Sequence, residues 1–318
     1  MRTLLRGQPP TRHVVRGQLL CGVGGGGGGL SDTAATTVAT SAAATAAAAV
    51  HRLEDAHRLR DHRARVAGVG GHDDGVAFLG DGASLGKFPI ILDALEQEEG
   101  FGVLICKPRE DTNEIIQRMK QALERGALAV GMDIDALAFR TLHLRGQKGL
   151  ARPAEDIARI RDQIDAPFIL KGILNSEDAA AAAGVGVDCI VVSNHGGRVL
   201  DEAPGAARVL PEVRQAWIEN GGSPEGILAD GGVRSGADAF KYLGLGARGV
   251  LVGRPSVIAL AGGGQAALKF LIHQYARELR DTMHLCGVAN AASVAEKKVI
   301  QLAALGEGPS ASAEFKKS

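Results

Sequence analysis

Ile227-Leu228-Ala229-Asp230-Gly231-Gly232-Val233-Arg234-Ser235-Gly236, followed after one helical segment by Val250-Leu251-Val252-Gly253-Arg254-Pro255, is the stretch that decides the fold. Each piece is a short aliphatic run that stops at glycine and arginine before the next helix. A strand buried on both faces of a parallel sheet reads as such a continuous apolar run. The glycines let backbone N–H groups converge on a ligand, and each arginine adds a guanidinium fork. Together the two turns read as a phosphate pocket built at the ends of consecutive strands.

The same alternation runs outward from this stretch. From Val76 onward, aliphatic runs near 77–80, 101–106, 128–133, 167–171, 188–193, 226–230 and 249–252 are separated by amphipathic segments. This is the form of βα units around a parallel sheet. Asp111 with Glu114 three residues on makes a capping box ahead of Ile115, Met119 and Leu123, and Gly126 closes that helix. Ser176 precedes an alanine-rich helix ended by Gly184. Seven such strands, each with its crossover, predict a (β/α)8 TIM barrel whose first strand is missing or corrupted, with a doubly wound open sheet as the alternative. Either fold puts its chemistry at the C-terminal ends of the strands.

Polar residues collect at those ends. The strand from Pro167 ends in Lys171, and a lysine buried in a barrel mouth is costly unless it meets an anion or an acceptor. The run Ile190-Val191-Val192 stops at Ser193-Asn194-His195-Gly196-Gly197-Arg198, with Asp201 just beyond. A histidine and an arginine three apart past a strand supply a proton acceptor and a carboxylate clamp, although a capped loop with a solvated arginine has the same pattern.

From Phe168 to about Gly287 the chain resembles the FMN-dependent α-hydroxy acid oxidases and dehydrogenases, a family that includes glycolate oxidase, lactate oxidase and flavocytochrome b2. The motif from Ser193 to Arg198 followed by Asp201 carries the resemblance. It implies FMN as cofactor, Lys171 near the flavin N1 and O2, and Ser193 against the flavin. It further implies His195 as catalytic base and Arg198 on the substrate carboxylate. Asp230 would meet the ribityl chain, with Gly231, Gly232, Arg234, Gly253 and Arg254 at the phosphate. The implied reaction is oxidation of a small 2-hydroxy acid to a 2-oxo acid, with the electron acceptor left open. A reductase or isomerase on the same flavin barrel, and a non-catalytic flavin-binding relic, are the alternatives.

Upstream the resemblance weakens. Where the family has a flavin-binding Gln and, two residues later, an active-site Tyr, this chain aligns Gly102 and Leu104. Its two tyrosines, Tyr242 and Tyr275, fall in predicted helices. Asp133 stands where the family usually has Thr, and an extra carboxylate there is expected to disfavour a second anion. The nearest counterpart of a second carboxylate-binding arginine is Arg140.

Composition sets the remaining bounds. At roughly 150 residues per domain, 318 residues allow one large domain or two small ones. Lys plus Arg and Asp plus Glu are 36 each, so no net field draws the chain to nucleic acid or an anionic membrane. No run of roughly 18 strongly apolar residues is read, so no membrane span is expected. The four cysteines (Cys21, Cys106, Cys189, Cys286) form no metal or disulfide spacing, which fits a reducing, cytoplasmic location. Homo-oligomerisation is left open. Residues 1–75 contain no Lys, Ile, Phe, Tyr, Trp or Asn but include a glycine run and an Ala/Thr tract. They read as a low-complexity segment, disordered or translated in a wrong frame, with an arginine-rich start similar to a transit peptide. The barrel is assigned to 76–305 and a polar tail to 306–318. His143, His273 and His284 are read as structural or surface residues, Cys106 and Cys189 as small buried hydrophobes, and Trp217 as packing.

Overall fold

The structure, a computed structural model, describes residues 76–81, 88–97, 102–138 and 148–295, together with the backbone of 38–40. Eight parallel strands close into a barrel in sequence order. They are β1 (Val38–Thr40), β2 (Ala77–Gly80), β3 (Gly102–Cys106), β4 (Ala129–Asp133), β5 (Phe168–Ile173), β6 (Cys189–Val192), β7 (Ile227–Asp230) and β8 (Gly249–Val252). Seven of them lie where the aliphatic runs predict. In the place of the first strand, expected to be missing or corrupted, three residues of the Ala/Thr tract run as β1. β1 pairs with β8 over Val38↔Val250 to Thr40↔Val252 and with β2 through Thr40↔Ala77. So short a run carries too little apolar signal to be recognised in sequence. The remainder of 1–75, the tail at 306–318, Arg140 and His143 lie outside the described residues.

The helices are α1 (Phe88–Gln97), α2 (Thr112–Glu124), α3 (Ala154–Arg161), α4 (Ser176–Gly184), α5 (Ala206–Glu219), α6 (Gly236–Gly244) and α7 (Arg254–Leu285). Asp111 caps α2 as expected, its Oδ1 accepting from the N–H groups of Asn113 at 2.8 Å and Glu114 at 3.3 Å. The cap of α4 is Asn175 rather than Ser176; Asn175 Oδ1 accepts from Asp178 N at 2.7 Å. Trp217 is fully buried and donates to Ser223 O at 2.7 Å. By length and composition α7 is apolar enough to cross a membrane, so the sequence expectation of no such segment is not upheld. Its backbone breaks at Gly263–Gly264, and Leu279 and Met283 pack with Phe240 and Leu243 of α6.

Two apolar layers follow from the period of two along each strand. Phe78, Val103, Ile105, Ala129, Ile169, Cys189, Val191, Leu228 and Leu251 fill the barrel interior. Their neighbours in sequence, among them Leu79, Leu104, Val130, Leu170, Ile190, Ala229 and Val250, face the helices. Burying each large aliphatic side chain contributes about 1.5–3 kcal/mol. The filled interior makes the barrel a floor, and the inward residues one step further along the strands become the walls of a site.

Candidate active site

That parity decides which residues reach the site. Gly102 and Leu104 face outward: a Cβ on Gly102 would meet Leu95 Cδ2 at 2.6 Å, and Leu104 lies in the outer layer. Aligning them with the family's flavin- and substrate-binding positions is therefore corrected. On β3 it is Ile105 that lines the cavity, and Lys107 follows at the strand's end. Tyr242 and Tyr275 are on helices, as expected.

A cavity opens at the C-terminal ends of the strands, with about 790 Å³ of open space when its mouth is included. His195, Arg198, Lys171, Asp230, Gly231, Gly232, Arg234, Gly253 and Arg254 all line it, with Phe78, Gly80, Ile105, Asp133 and Leu251 beneath and beside them. Ser193 stands behind this wall, fully buried, and its Oγ accepts from Lys171 Nζ at 3.1 Å. Residues chosen from four separate stretches of sequence thus meet in one place.

Charge in the site is paired rather than loose. Lys171 and Asp133 are register partners on β5 and β4, with 3.1 Å between Nζ and Oδ1. Lys107 Nζ donates to the other oxygen, Asp133 Oδ2, at 2.6 Å. Asp133, expected to disfavour a second anion, has an ammonium on each of its oxygens. Burial opposes its ionisation, yet Lys107, Lys171 and His195 hold its carboxyl far below the usual carboxylate range. Lys171 Nζ is also 3.5 Å from Asp230 Oδ2. Burial works against this ammonium, but Asp133, then Asp230 and Asp135, raise it above the ordinary lysine value.

His195 Nδ1 lies 2.9 Å from Asp135 Oδ1 and 3.8 Å from Asp133 Oδ1. Its backbone has φ 56, the one positive φ outside glycine among the described residues. That conformation is uncommon for a side-chain-bearing residue, and here it is fixed from both sides. The His195 N–H donates to Ser193 Oγ at 3.0 Å, and Arg198 Nε donates to His195 O at 3.1 Å. Burial lowers the His195 pKa below its ordinary value with Lys171 acting in the same sense, and Asp133 and Asp135 offset part of this. Burial likewise lowers Arg198 below the usual guanidinium value.

Asp135 is a site residue that sequence reasoning missed. It sits in a 3-10 turn, Ile134–Ala138, directly after β4. A usable signal was Gly172: at φ +104 a Cβ there would meet Asp135 Cβ at 2.8 Å, so only glycine lets the turn approach β5. Tyr242 was read as a plain helix residue, yet its hydroxyl donates to Asp230 O at 2.8 Å or Gly231 O at 2.7 Å, bracing the turn after β7.

The residues present fit a flavin mononucleotide. Asp230 Oδ1 is buried with no hydrogen-bond partner among the described residues, and a hydroxyl of a ribityl chain is the kind of donor it lacks. Gly231 and Gly232, at φ 101 and 72, turn the backbone at the end of β7, and nothing lies within 4 Å of a Cβ placed on Gly232. Arg234 and Arg254 line the same cavity as this turn; Arg254 Nη2 also donates to Gly196 O at 3.3 Å, tying it to the His195 loop. An anion site of two arginines beside a glycine turn, an acceptor carboxylate and a buried ammonium match phosphate, sugar alcohol and an electron-rich ring edge in turn.

Residues 147–301 match the FMN-dependent dehydrogenase family. An L-lactate dehydrogenase of Caulobacter vibrioides (strain NA1000 / CB15N) is 48% identical over 141 residues, 44% of this chain and 36% of that protein. A peroxisomal (S)-2-hydroxyacid oxidase of Arabidopsis thaliana is 47% identical over 133 residues, 42% of this chain and 36% of that protein. The chain therefore spans little more than a third of the length of these curated relatives. The solved structure of mandelate oxidase superposes with a TM-score of 0.68 at 26% identity, over 81% of this chain and 77% of that one.

Proposed function

We propose that this chain, whose residues 147–301 match the FMN-dependent dehydrogenase family, binds FMN without a covalent link and oxidises a small 2-hydroxy acid to the 2-oxo acid. The observation that carries the reading is the convergence of Lys171, His195, Arg198, Asp230, Arg234 and Arg254 on one cavity. The relatives named for lactate and other 2-hydroxy acids support the substrate class.

Bound FMN supplies the acceptor for the two electrons and the hydrogen removed from the substrate. The protein's part is binding, orientation and proton handling. Arg198 holds the substrate carboxylate through its planar fork, and its Nε bond to His195 O fixes the distance between clamp and base. Asp135 at Nδ1 sets the tautomer of His195 and leaves Nε2 as the basic nitrogen. With its pKa lowered by burial, the imidazole is neutral at pH 7 and accepts the substrate's proton. The imidazolium that results is stabilised by Asp135 and Asp133. Lys171 remains an ammonium and favours negative charge on the ring beside it.

Anaerobic mixing of the FMN-loaded protein with a panel of 2-hydroxy acids tests this reading. Bleaching of the oxidised flavin band by at least one acid is the expected result; a band unchanged by every member overturns it.

A further inference from the structure

Lys107 has no part in the reaction just described, yet it is built into the site. β3, β4 and β5 are neighbours, with Cys106 opposite Met132 and Asp133 opposite Lys171. Lys107, Asp133 and Lys171 therefore form a row across three strand ends, cation, anion, cation. The two ammonium groups hold different oxygens of the one carboxylate, Lys107 at 2.6 Å on Oδ2 and Lys171 at 3.1 Å on Oδ1. All three are largely withdrawn from water, their side chains 13%, 4% and 7% exposed, so their charges are weakly screened.

The row matters because carboxylates crowd Lys171. Asp133 and Asp230 both lie within ion-pair distance of its Nζ, and Asp135 adds to their field. Were Asp133 left to Lys171 alone, that pair would be neutral before Asp230 is counted. With Lys107 sharing the carboxylate, the row keeps one net positive charge at the cavity wall. The same sharing weakens the pull of Asp133 on His195 Nδ1, 3.8 Å away.

We propose that Lys107 is a positioning residue that occupies Asp133, so that the charge of Lys171 stays available to reduced flavin and His195 is spared the full field of Asp133. This rests on the FMN reading above and adds a role for a side chain that does not itself contact the reacting atoms.

The test uses Lys107→Met, Asp133→Asn and the two combined, with two readouts. The first is the ratio of FMN dissociation constants in the oxidised and reduced states. Lys107→Met is expected to weaken the preference for reduced FMN about tenfold, about 30 mV for a two-electron couple, and Asp133→Asn in the same chain to restore it. The second is the titration of the His195 ring by NMR in the FMN-free protein, where Asp135, Asp133, Lys171 and Arg198 are the charged groups facing it. Lys107→Met is expected to raise its pKa, and the double variant to bring it back down. Unchanged ratio and titration in Lys107→Met overturn the proposal, as does a double variant that behaves like Lys107→Met alone. If Lys107→Met does not fold, Asp133→Asn alone decides: it should strengthen the preference for reduced FMN and lower the His195 pKa, and no change in either overturns the proposal. If the unaltered protein binds no FMN, the cofactor reading fails and the His195 titration alone decides the role of Lys107.

Discussion

Replacing both Arg234 and Arg254 with alanine removes two guanidinium groups that line the cavity with the Gly231–Gly232 turn while leaving the backbone N–H groups of that turn in place. A hydrogen bond to a charged partner contributes about 1.5–3 kcal/mol. Both arginines are exposed, so solvent screening favours the lower figure. At about 1.5 kcal/mol each, the pair contributes about 3 kcal/mol, a loss of about 10²-fold in FMN affinity. The assay is a fluorescence titration of wild-type and double-variant protein with FMN and, in parallel, with riboflavin, which has the same ring and ribityl chain but no phosphate. FMN affinity is expected to fall about 10²-fold in the variant and riboflavin affinity to change little, so that the preference for FMN over riboflavin disappears. Equal losses for both ligands with an unchanged melting temperature would mean that the arginines shape the cavity without meeting a phosphate. An unchanged preference for FMN would place the phosphate elsewhere.

Four further outcomes follow from the geometry. His195→Ala should retain FMN and lose about 10²–10⁴ in the rate of flavin reduction, measured by stopped flow; a wild-type rate would move the base elsewhere. Arg198→Lys should raise KM more than it lowers kcat, because an ammonium cannot reproduce the two-pronged contact; steady-state kinetics at saturating acid separate the two. The base is active when neutral and its pKa is lowered, so reduction should rise with pH through a midpoint below about 6.5. Asp135→Asn removes a charge that raises that pKa, so it should move the midpoint lower still and slow the rate; a midpoint moved upward would contradict the Asp135–His195 pairing. In the outer layer, Asp81 is fully buried against Arg109, with Arg118 3.8 Å away. Arg109→Met should destabilise the fold by about 3–5 kcal/mol by leaving a buried carboxylate short of its partner, read from denaturant unfolding; Asp81→Asn in the same chain should recover part of the loss, and a cost under about 1 kcal/mol would show the pair to be unimportant.

What could be read in the sequence divides along a physical line. Lys171, the Ser193–Arg198 loop and the two glycine–arginine turns after β7 and β8 were legible because in a barrel each strand end and the loop after it are contiguous in sequence, and buried parallel strands announce themselves as aliphatic runs. Pairings made by closure of the barrel were not. Asp135 meets His195 across 60 positions and Asp81 meets Arg109 across 28, and nothing local marks either. The facing of β3 was also hidden. Gly102 to Cys106 is apolar on both faces because both are buried, so the period of two that would separate lumen from helix layer leaves no trace. Comparison by motif alone therefore aligned Gly102 and Leu104 with the site, where the structure has Ile105 and then Lys107. β1 escaped notice for a different reason: three residues of an Ala/Thr tract do not differ in composition from their surroundings.

On the proposed reading, one cavity binds FMN and uses it to take two electrons from a 2-hydroxy acid. Protein loaded with FMN and freed of excess, mixed without oxygen with one equivalent of the acid that bleaches it best, tests this by product analysis. One 2-oxo acid is expected per FMN reduced, and none when His195 is alanine within the same mixing time. Stoichiometric FMN with no 2-oxo acid from any 2-hydroxy acid would contradict it.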